Sequence, residues 1–390
     1  MENCNEKNTQ RNVAVKILNW CKKEAVLSIA FILAIVSAFF VHPDKEYLGY
    51  IDFRTLGILF CLMAVMAGLQ KIGLFNYIAE KLLAKVKHIR GLVFILVMLC
   101  FVSSMLITND VALITFVPFT FIVLKMLFED NADKLIVPIV VMQTIAANLG
   151  SMMTPIGNPQ NLYLYGKTTM NFGEFMLFML PYTLVAFAIT ALWCLVFPYK
   201  GEKKIVLQLK GSTSLAEHKK SLVVYGILFA LSLLAVSHIV PFEAVLIIVV
   251  AVVLWLDKGV LLKVDYALLM TFVGLFIFIG NMGRVPAFNN LLQEIIVGNE
   301  VVTAVVASQV MSNVPAALLL SGFTNQYELL IVGTNLGGLG TIIASMASLI
   351  SFKYIGKDYK ELRGKYLIYF TIANLVFLAI LMGYFFVVAM

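Results

Sequence analysis

Charged residues are scarce in this sequence of 390 residues. Asp, Glu, Lys and Arg form 13% of the chain and apolar residues 61%, whereas an ordinary soluble domain has about 25% and about 45–50%. Three stretches contain none of the four charged types: 135–166, 301–327 and 329–352. Each exceeds the roughly 20 residues with which a helix crosses the hydrocarbon core of a membrane. The composition therefore excludes a soluble enzyme with a polar shell and indicates an all-α, polytopic membrane protein.

Cysteines and nucleotide-binding motifs give no sign of catalysis. The five cysteines are odd in number and scattered, at Cys4, Cys21, Cys61, Cys100 and Cys194. They form neither a disulfide framework nor a metal-ligand pattern. The phosphate-binding pattern Gly-x-x-x-x-Gly-Lys-Ser/Thr is missing as well, which argues against ATP-driven transport. We therefore expect neither an enzyme nor an organic cofactor.

The net charge of +7 comes from basic residues in separate short loops rather than in one patch. Cytoplasmic loops of membrane proteins carry such an excess of Lys and Arg, so the expected partner is a lipid bilayer and not a nucleic acid. The basic segments at the N-terminus and at 71–90, 199–220 and 353–365 are predicted to lie inside the cell. No cleavable signal peptide is apparent. These features predict a multi-pass protein of the plasma or inner membrane with a cytoplasmic N-terminus.

The apolar segments predict nine full spans and two shorter pairs. The spans are 26–41, 55–72, 135–162, 174–198, 221–240, 244–257, 266–283, 329–352 and 366–389. The pairs are 91–107 with 111–127, turning at Thr108-Asn109-Asp110, and 301–311 with 314–323, turning at Ser312-Asn313. Charge counting allows either two spans or one re-entrant hairpin for each pair. The arms of the second pair, about ten residues each, are too short to span, which predicts a hairpin there and, by symmetry, in the first pair.

The same order of features occurs in both halves of the chain. The matched features are Asp52 with Asp265, Lys71 with Arg284, the amphipathic stretches 75–88 with 288–297, the two Asn turns, and Asn-Leu-Gly at 148–150 with 335–337. Asp52 and Asp265 stand where helix N-caps stand. The first copy enters its opening span from outside and the second from inside, which is the inverted-topology repeat of many secondary transporters. The predicted units are an amphipathic segment 1–25, a first repeat 26–198, a linker 199–220 and a second repeat 221–390.

Asp110 is the only Asp, Glu, Lys or Arg between Gly91 and Leu124. A carboxylate in a membrane interior is costly unless it is paired, hydrated or metal-bound, and such residues are candidates for function. The alternative is a turn at the outer surface, where Asp110 caps the following helix. Both interpretations stay open at this stage.

Two spans carry helix breakers in their middle. Pro155 and Pro159 lie within the uncharged run 148–161, and glycines interrupt the matching run 335–345. Proline removes a backbone donor and disfavours helix before it, and carbonyls freed in this way must line a cavity or bind something. Carbonyls at the end of a half-helix suit Na⁺, and the N–H groups of the next half-helix suit an anion. Close helix packing is the alternative reason for the glycines.

The paired Asn turns and the run Gly150-Ser-Met-Met-Thr-Pro-Ile-Gly-Asn-Pro-Gln-Asn161 resemble the ion transporter superfamily. That group includes divalent anion/sodium symporters, citrate transporters, arsenite permeases and a family of sodium/proton antiporters. The resemblance covers the chain from about residue 26 to its end. It implies two re-entrant hairpins, two broken helices, and a homodimer in which a transport domain slides like an elevator on the arms 75–88 and 288–297.

By position, the motifs assign contacts with solute and with Na⁺. The candidate substrate-binding residues are Thr108, Asn109, Asp110, Ser151, Thr154, Asn158, Ser312, Asn313 and Thr341. The candidate Na⁺ ligands are Asn109, Gly150, Ser312, Asn313 and Gly337.

The third tip position departs from the Ser-Asn-Thr of the sodium-coupled anion symporters, because it is Asp110 in one tip and Val314 in the other. The Thr-Asn-Asp tip looks closer to the arsenite-permease-like branch. The leading hypothesis is a secondary transporter of a small anionic solute, a carboxylate or an oxyanion, coupled to Na⁺ or H⁺. A sodium/proton antiporter using Asp110 and an arsenite-type efflux permease are the alternatives, and a channel ranks below them.

Overall fold

The computed structural model of the chain describes residues 24–84, 86–128, 133–196, 215 and 217–389. Every regular element in these ranges is a helix, as the composition predicts. The predicted amphipathic N-terminal segment, apart from residues 24 and 25, lies outside the described residues. The linker 199–220 does too, apart from 215 and 217–220.

Two series of helices follow one another along the described chain. The first is α1 (Ala25–Ala38), α2 (Tyr47–Tyr50), α3 (Phe53–Lys71), α4 (Leu74–Leu83), α5 (Ile89–Ile107), α6 (Asn109–Phe128), α7 (Asp133–Ser151), α8 (Pro159–Tyr165) and α9 (Phe172–Val196). Helix α10 (Lys219–Val236) separates it from the second. The second is α11 (Phe242–Leu256), α12 (Lys258–Leu261), α13 (Tyr266–Gly283), α14 (Pro286–Ile296), α15 (Glu300–Met311), α16 (Asn313–Ser321), α17 (Tyr327–Gly337), α18 (Met346–Asp358) and α19 (Arg363–Ala389).

Eight of the described helices are long and apolar enough to cross a membrane: α3, α5, α6, α7, α9, α10, α13 and α19. Helices α14 and α15 pass the same test only as a pair, and they are bent by 112° at the break between them, as in a broken span or a re-entrant loop. The predicted spans 26–41 and 244–257 are the shorter helices α1 and α11, of 14 and 15 residues. The protein is therefore a polytopic α-helical membrane protein.

The two predicted hairpins differ in length but share the geometry of their tips. The arms α5 and α6 have 19 and 20 residues, whereas α15 and α16 have 12 and 9. Each tip is a non-glycine residue with positive φ, Thr108 at φ 67° and ψ 150° and Ser312 at φ 76° and ψ 153°. L residues rarely adopt such backbone angles, and strain of this kind persists only where the surroundings enforce it. The symmetry that the sequence suggests thus holds for the tips and not for the arms.

Each tip is held against an interruption between two helices. The backbone N–H of Asn109 donates to Gly157 O at 3.1 Å, and that of Asn313 donates to Ala344 O at 2.9 Å. Gly157 lies between α7 and α8, and Ala344 between α17 and α18. The two tips therefore meet the two broken segments through the same kind of hydrogen bond.

The broken segments stop their helices by different means. After α7, Pro155 and Pro159 lack a backbone donor, and Asn158 restarts the chain as the N-cap of α8, its Oδ1 accepting from Asn161 N at 2.8 Å. After α17, the chain turns at Gly340 with φ 110°, a conformation that glycine adopts without steric cost. Both breaks lie where the sequence predicts them.

Helices α3 and α13 begin and end alike. Asp52 Oδ1 accepts from Thr55 N, and Asp265 Oδ1 accepts from Leu268 N, both at 2.9 Å, so the two predicted N-caps are confirmed. At the opposite ends, Lys71 pairs with Asp257, and Arg284 pairs with Asp44 at 2.7 Å. The hydrogen bonds from Lys71 and Arg284 lower the pKa of Asp257 and of Asp44 below the ordinary value. Each pair joins one helix series to the other.

Candidate functional site

A cavity of about 130 Å³ lies between α3, α6 and α13, beside the break that precedes α8. Its wall is apolar along α3, and its polar lining residues are Gln70, Thr108, Asp110, Asn158, Lys263 and Asp265. Lys263 and Asp265 are exposed, so the cavity opens at the start of α13. Thr108 and Asp110 place the first hairpin tip in the wall of this cavity.

Asp110 is the chemically distinctive group in this cavity. Its Oδ1 is buried and has no hydrogen-bond partner, while its backbone N–H binds Asn109 Oδ1 at 3.0 Å. A buried carboxylate oxygen without a donor is costly, so this atom suits a proton or a cation. Asp265 adds a second carboxylate and Lys263 one positive charge to the same cavity. The site can thus combine a cation or proton with a solute.

Asn148 joins the first tip to the second broken segment. Its Oδ1 accepts from Asn109 Nδ2 at 3.1 Å and from Ser345 Oγ at 3.0 Å. Its Nδ2 donates to Gly338 O at 3.4 Å. One buried amide therefore ties together the tip of one series and the broken helix of the other.

Asn335 makes the corresponding connection in the opposite direction. Its Oδ1 accepts from Asn158 Nδ2 at 3.0 Å, and its Nδ2 donates to Asn161 Oδ1 at 2.6 Å. Asn158 Nδ2 also donates to Ser151 Oγ at 3.1 Å, and Ser151 Oγ donates to Asn148 O at 2.8 Å. Networks of this kind fix geometry in a low-dielectric interior. The two broken helices meet through asparagines.

Most of the candidate substrate residues gather here. Thr108, Asp110 and Asn158 line the cavity, and Asn109 and Ser151 belong to the asparagine network. At the second tip, Ser312 Oγ is buried without a partner, next to Asn313.

Two of the candidate substrate residues have other partners. Thr154 Oγ1 donates to Met105 O, and Thr341 Oγ1 donates to Gln309 O. Thr341 is exposed and does not line the cavity. These two hydroxyls hold each broken segment to the first arm of its hairpin.

Several polar residues of the site were not singled out from the sequence. Asn148 and Asn335 open the repeated Asn-Leu-Gly motif, which was a usable signal. The sequence predicts Asp265 as an N-cap, which it is, and the structure shows that it also lines the cavity. Gln70 and Gln309 are isolated amides in apolar helices, and no sequence pattern around them indicates a role in the site.

The two halves differ in their fit to a cation. In the first half, the unpartnered Oδ1 of Asp110 lies beside Asn109, and oxygen ligands of this type suit Na⁺. In the second half, Gly337 O accepts from Gln309 Nε2 at 3.0 Å, so this candidate ligand faces a donor instead. Among the described residues, no group of three or more His, Cys, Asp or Glu side chains is placed to hold a metal ion.

A second cavity, of about 240 Å³, adjoins the first between α3, α4 and α6. Gln70 and Ile114 line both cavities. Gln70 Nε2 donates to Thr115 Oγ1 at 3.1 Å, which connects α3 to α6 at the boundary. The two cavities therefore meet at residues of α3 and α6 that this hydrogen bond links.

The sequence is similar to known and uncharacterised transporters. It is 31% identical over 360 residues to an uncharacterised transporter of Methanocaldococcus jannaschii, covering 92% of this chain and 95% of that protein. It is 30% identical over 348 residues to the inner membrane protein YbiR of Escherichia coli, covering 87% of this chain and 90% of YbiR. The silicon efflux transporter LSI3 of Oryza sativa is 32% identical over 176 residues, covering 45% of this chain and 34% of LSI3.

The citrate transporter family model, CitMHS, matches residues 13–327. This match covers most of the chain, including the first hairpin, both tips and the first broken segment. The two relatives that match along most of their own length are named as a transporter and an inner membrane protein. The chain therefore belongs to the citrate transporter (CitMHS) family.

Proposed function

We propose that this protein is an ion-coupled secondary transporter that carries a small anionic solute through the cavity at Asp110. The observation that carries the proposal is the unpartnered, buried oxygen of Asp110 at the hairpin tip, beside a broken helix. Broken helices with ion-binding groups at their ends are the usual construction of sites in secondary transporters. Carboxylates and oxyanions are the proposed solutes, and Na⁺ or H⁺ is the proposed coupling ion.

The charges of the cavity favour ion coupling for an anionic solute. Asp110 and Asp265 would repel an anionic solute, since two carboxylates line the same small space. A proton or Na⁺ on Asp110 removes that repulsion, and Lys263 then supplies attraction. The solute would enter only with its coupling ion, and Asn109 would hold the cation. Ser312 and Asn313 do not line this cavity, so they would contact the solute only where it reaches the second tip.

An inverted-topology repeat is the proposed architecture. The similar backbone angles of Thr108 and Ser312, and the crossed contacts of Asn148 and Asn335, support a two-fold relation between the series. Helices α5–α8 and α15–α18 pack on each other, since α8 contacts α16 and α17 while α18 contacts α6 and α7. We propose that this group slides past α3 and α13 in a homodimer, with the amphipathic helices α4 and α14 as its connecting arms.

Two alternatives each have an observation in their favour. The carboxylate of Asp110 would also serve a sodium/proton antiporter that carries no organic solute. The relative in Oryza sativa is named a silicon efflux transporter, which favours an arsenite-type or oxyacid efflux permease as the second alternative. A channel is less well supported because it gives no reason for the repeated construction.

Reconstitution into liposomes tests the function. Uptake of labelled succinate, citrate, sulfate, phosphate and arsenite is measured with and without an inward sodium gradient, and with and without a pH gradient. We expect one of these solutes to accumulate only when a gradient is imposed. If the flux of every solute is the same with and without each gradient, ion coupling is contradicted. Sodium-driven proton movement without any added anion would favour the antiporter.

The proposed orientation predicts two labelling results. In a variant without native cysteines, a cysteine replacing exposed Lys45 should react with a membrane-impermeant maleimide from outside the cell. A cysteine replacing exposed Lys258 should react only in inverted vesicles. The ion pairs support this assignment, because Lys71 with Asp257 and Arg284 with Asp44 each join groups that are predicted on one side. Labelling of both positions from the same side would refute the topology.

The hydrogen bond between Gln70 and Thr115 should bias the transport cycle. If the α5–α8 group slides past α3, this bond must break in each cycle, at a cost of about 0.5–1.5 kcal/mol. Gln70→Ala and Thr115→Val should each change the transport KM or rate by roughly two- to tenfold. The double variant should add little to either, because both remove one interaction. If the effects of the two single substitutions multiply in the double variant, the two side chains do not act through their shared hydrogen bond.

A further inference from the structure

Gln309 lies on α15 and closes the second broken segment with one side chain. Its Nε2 donates to Gly337 O at 3.0 Å and to Leu339 O at 2.9 Å, and Val305 O of its own helix is a third acceptor at 3.1 Å. Its Oε1 accepts from the backbone N–H of Thr341 at 2.8 Å. The carbonyls that the break in this helix frees are thus already satisfied by the protein itself.

The direction of this amide follows from its neighbours. A backbone N–H can only donate, so the group facing Thr341 must be the oxygen Oε1. The NH₂ group therefore faces Gly337 O and Leu339 O. Turning the amide over would place two donors against each other and an oxygen against two carbonyls. No orientation of Gln309 leaves both the Thr341 N–H satisfied and the two carbonyls open to a cation.

We propose that the side-chain amide of Gln309 stands in place of a coupling cation at the second broken segment. This rests on the proposed function of ion-coupled transport. The NH₂ group carries partial positive charge to the two carbonyls, as Na⁺ would, but it moves with the protein and is never exchanged. The second half binds no Na⁺, and ion coupling is confined to the first half, around Asp110.

The first half has methionine where the second has Gln309. Met105 and Gln309 each stand four residues before the tip asparagine, and the carbonyl of each accepts a threonine hydroxyl, from Thr154 and Thr341. The two positions are therefore equivalent in the two series. Methionine has no donor to offer a carbonyl, and the amide of Asn161 on α8 donates instead, to Met152 O at 3.4 Å and to Thr154 O at 3.1 Å. What the first half keeps for a cation is the unpartnered carboxylate oxygen of Asp110, where the second tip has Val314.

Thermal stability in NaCl against choline chloride at equal concentration tests this without transport. The purified full chain carries Asp110→Asn, which removes the charge that would bind Na⁺ in the first half. This protein should melt at the same temperature in both salts. Adding Gln309→Glu places carboxylate oxygens against the carbonyls of Gly337 and Leu339. The melting temperature in choline chloride should therefore fall by at least about 2 °C. NaCl should restore at least half of that loss, because Na⁺ can bridge the oxygens.

Gln309→Met, which copies Met105, is the second variant in the same Asp110→Asn background. It should be less stable than its parent in both salts, and NaCl should stabilise it more than choline chloride does. Saturable stabilisation of the Asp110→Asn protein by NaCl would overturn the proposal, as would a Gln309→Glu variant that gains no response to Na⁺. If no tested solute is transported, the proposed function is contradicted. The melting experiment would still test the role of Gln309, because it does not depend on transport.

Discussion

Asp110→Asn should abolish gradient-driven accumulation in proteoliposomes while leaving the protein folded. The amide is nearly the same size as the carboxylate but holds neither a proton nor a full charge for Na⁺. We expect the coupled initial rate to fall at least about tenfold, equivalent to about 1.4 kcal/mol. Under the proposed coupling, the proton and Na⁺ would compete for one carboxylate in the unaltered protein, so the sodium affinity should weaken as the pH falls. The variant should lose this pH dependence.

Asp52→Asn is the matched control for Asp110→Asn. Asp52 caps α3 and does not line the cavity, and Asn is about as good an N-cap as Asp. This variant should transport like the unaltered protein. The hypothesis for Asp110 fails if Asp110→Asn retains coupled transport and a cysteine at position 110 reacts readily with an impermeant reagent from outside. That pair of results would identify Asp110 as an exterior cap.

Gly150→Ala should greatly reduce the yield of folded protein. A Cβ at this position would lie 2.0 Å from Phe101 O and 2.6 Å from Ser104 Oγ. The carbonyl belongs to α5 and cannot move without its helix, so the cost should reach or exceed the about 1–3 kcal/mol of an overpacked core. Size-exclusion profiles in detergent and melting curves measure the loss.

Gly337→Ala tests the equivalent contact in the second series. There the added Cβ would lie 2.6 Å from Ser308 Oγ, 2.8 Å from Ser308 Cβ and 3.1 Å from Val305 Cα. Ser308→Ala removes only the first of these contacts, so it should rescue Gly337→Ala in part. Gly226→Ala, on α10 with nothing within 4 Å of its Cβ, is the control and should be neutral or slightly stabilising. Equal behaviour of Gly150→Ala and Gly226→Ala would show that the close approach of α5 and α7 is not required.

The outline of the fold could be predicted because its signals are local. Uncharged runs indicate membrane helices, Pro155 and Pro159 mark one break, and Asp52 and Asp265 mark two helix starts. Each of these follows from the chemistry of a residue and its immediate neighbours. The match of the Asn-Leu-Gly motifs also located the two asparagines that connect the halves, although their partners were not foreseen.

The details of the site could not be predicted because they depend on distant partners. Gln309 reaches carbonyls 28 and 30 residues away, and nothing in its own segment distinguishes it from a packing residue. Asp265 lines the cavity only because the start of α13 faces α6 across it in space. The repeat predicts similar hairpins in both halves, and this holds for the backbone of the two tips. It does not hold for the lengths of the arms, which are longer in the first hairpin.

The asparagine contacts between the two helix series have a consequence for biosynthesis. The partners of Asn335 were made 177 and 174 residues earlier, and Ser345 binds an amide made 197 residues earlier. At about 5–20 residues per second, roughly 10–40 s pass before the second series can supply these partners. In the meantime Asn148, Asn158 and Asn161 have hydrogen-bond partners within the first series, namely Asn109, Ser151 and Thr154. We therefore expect the first series to enter the membrane as it is made, and the contacts between the two series to form last, once α17 and Ser345 have followed.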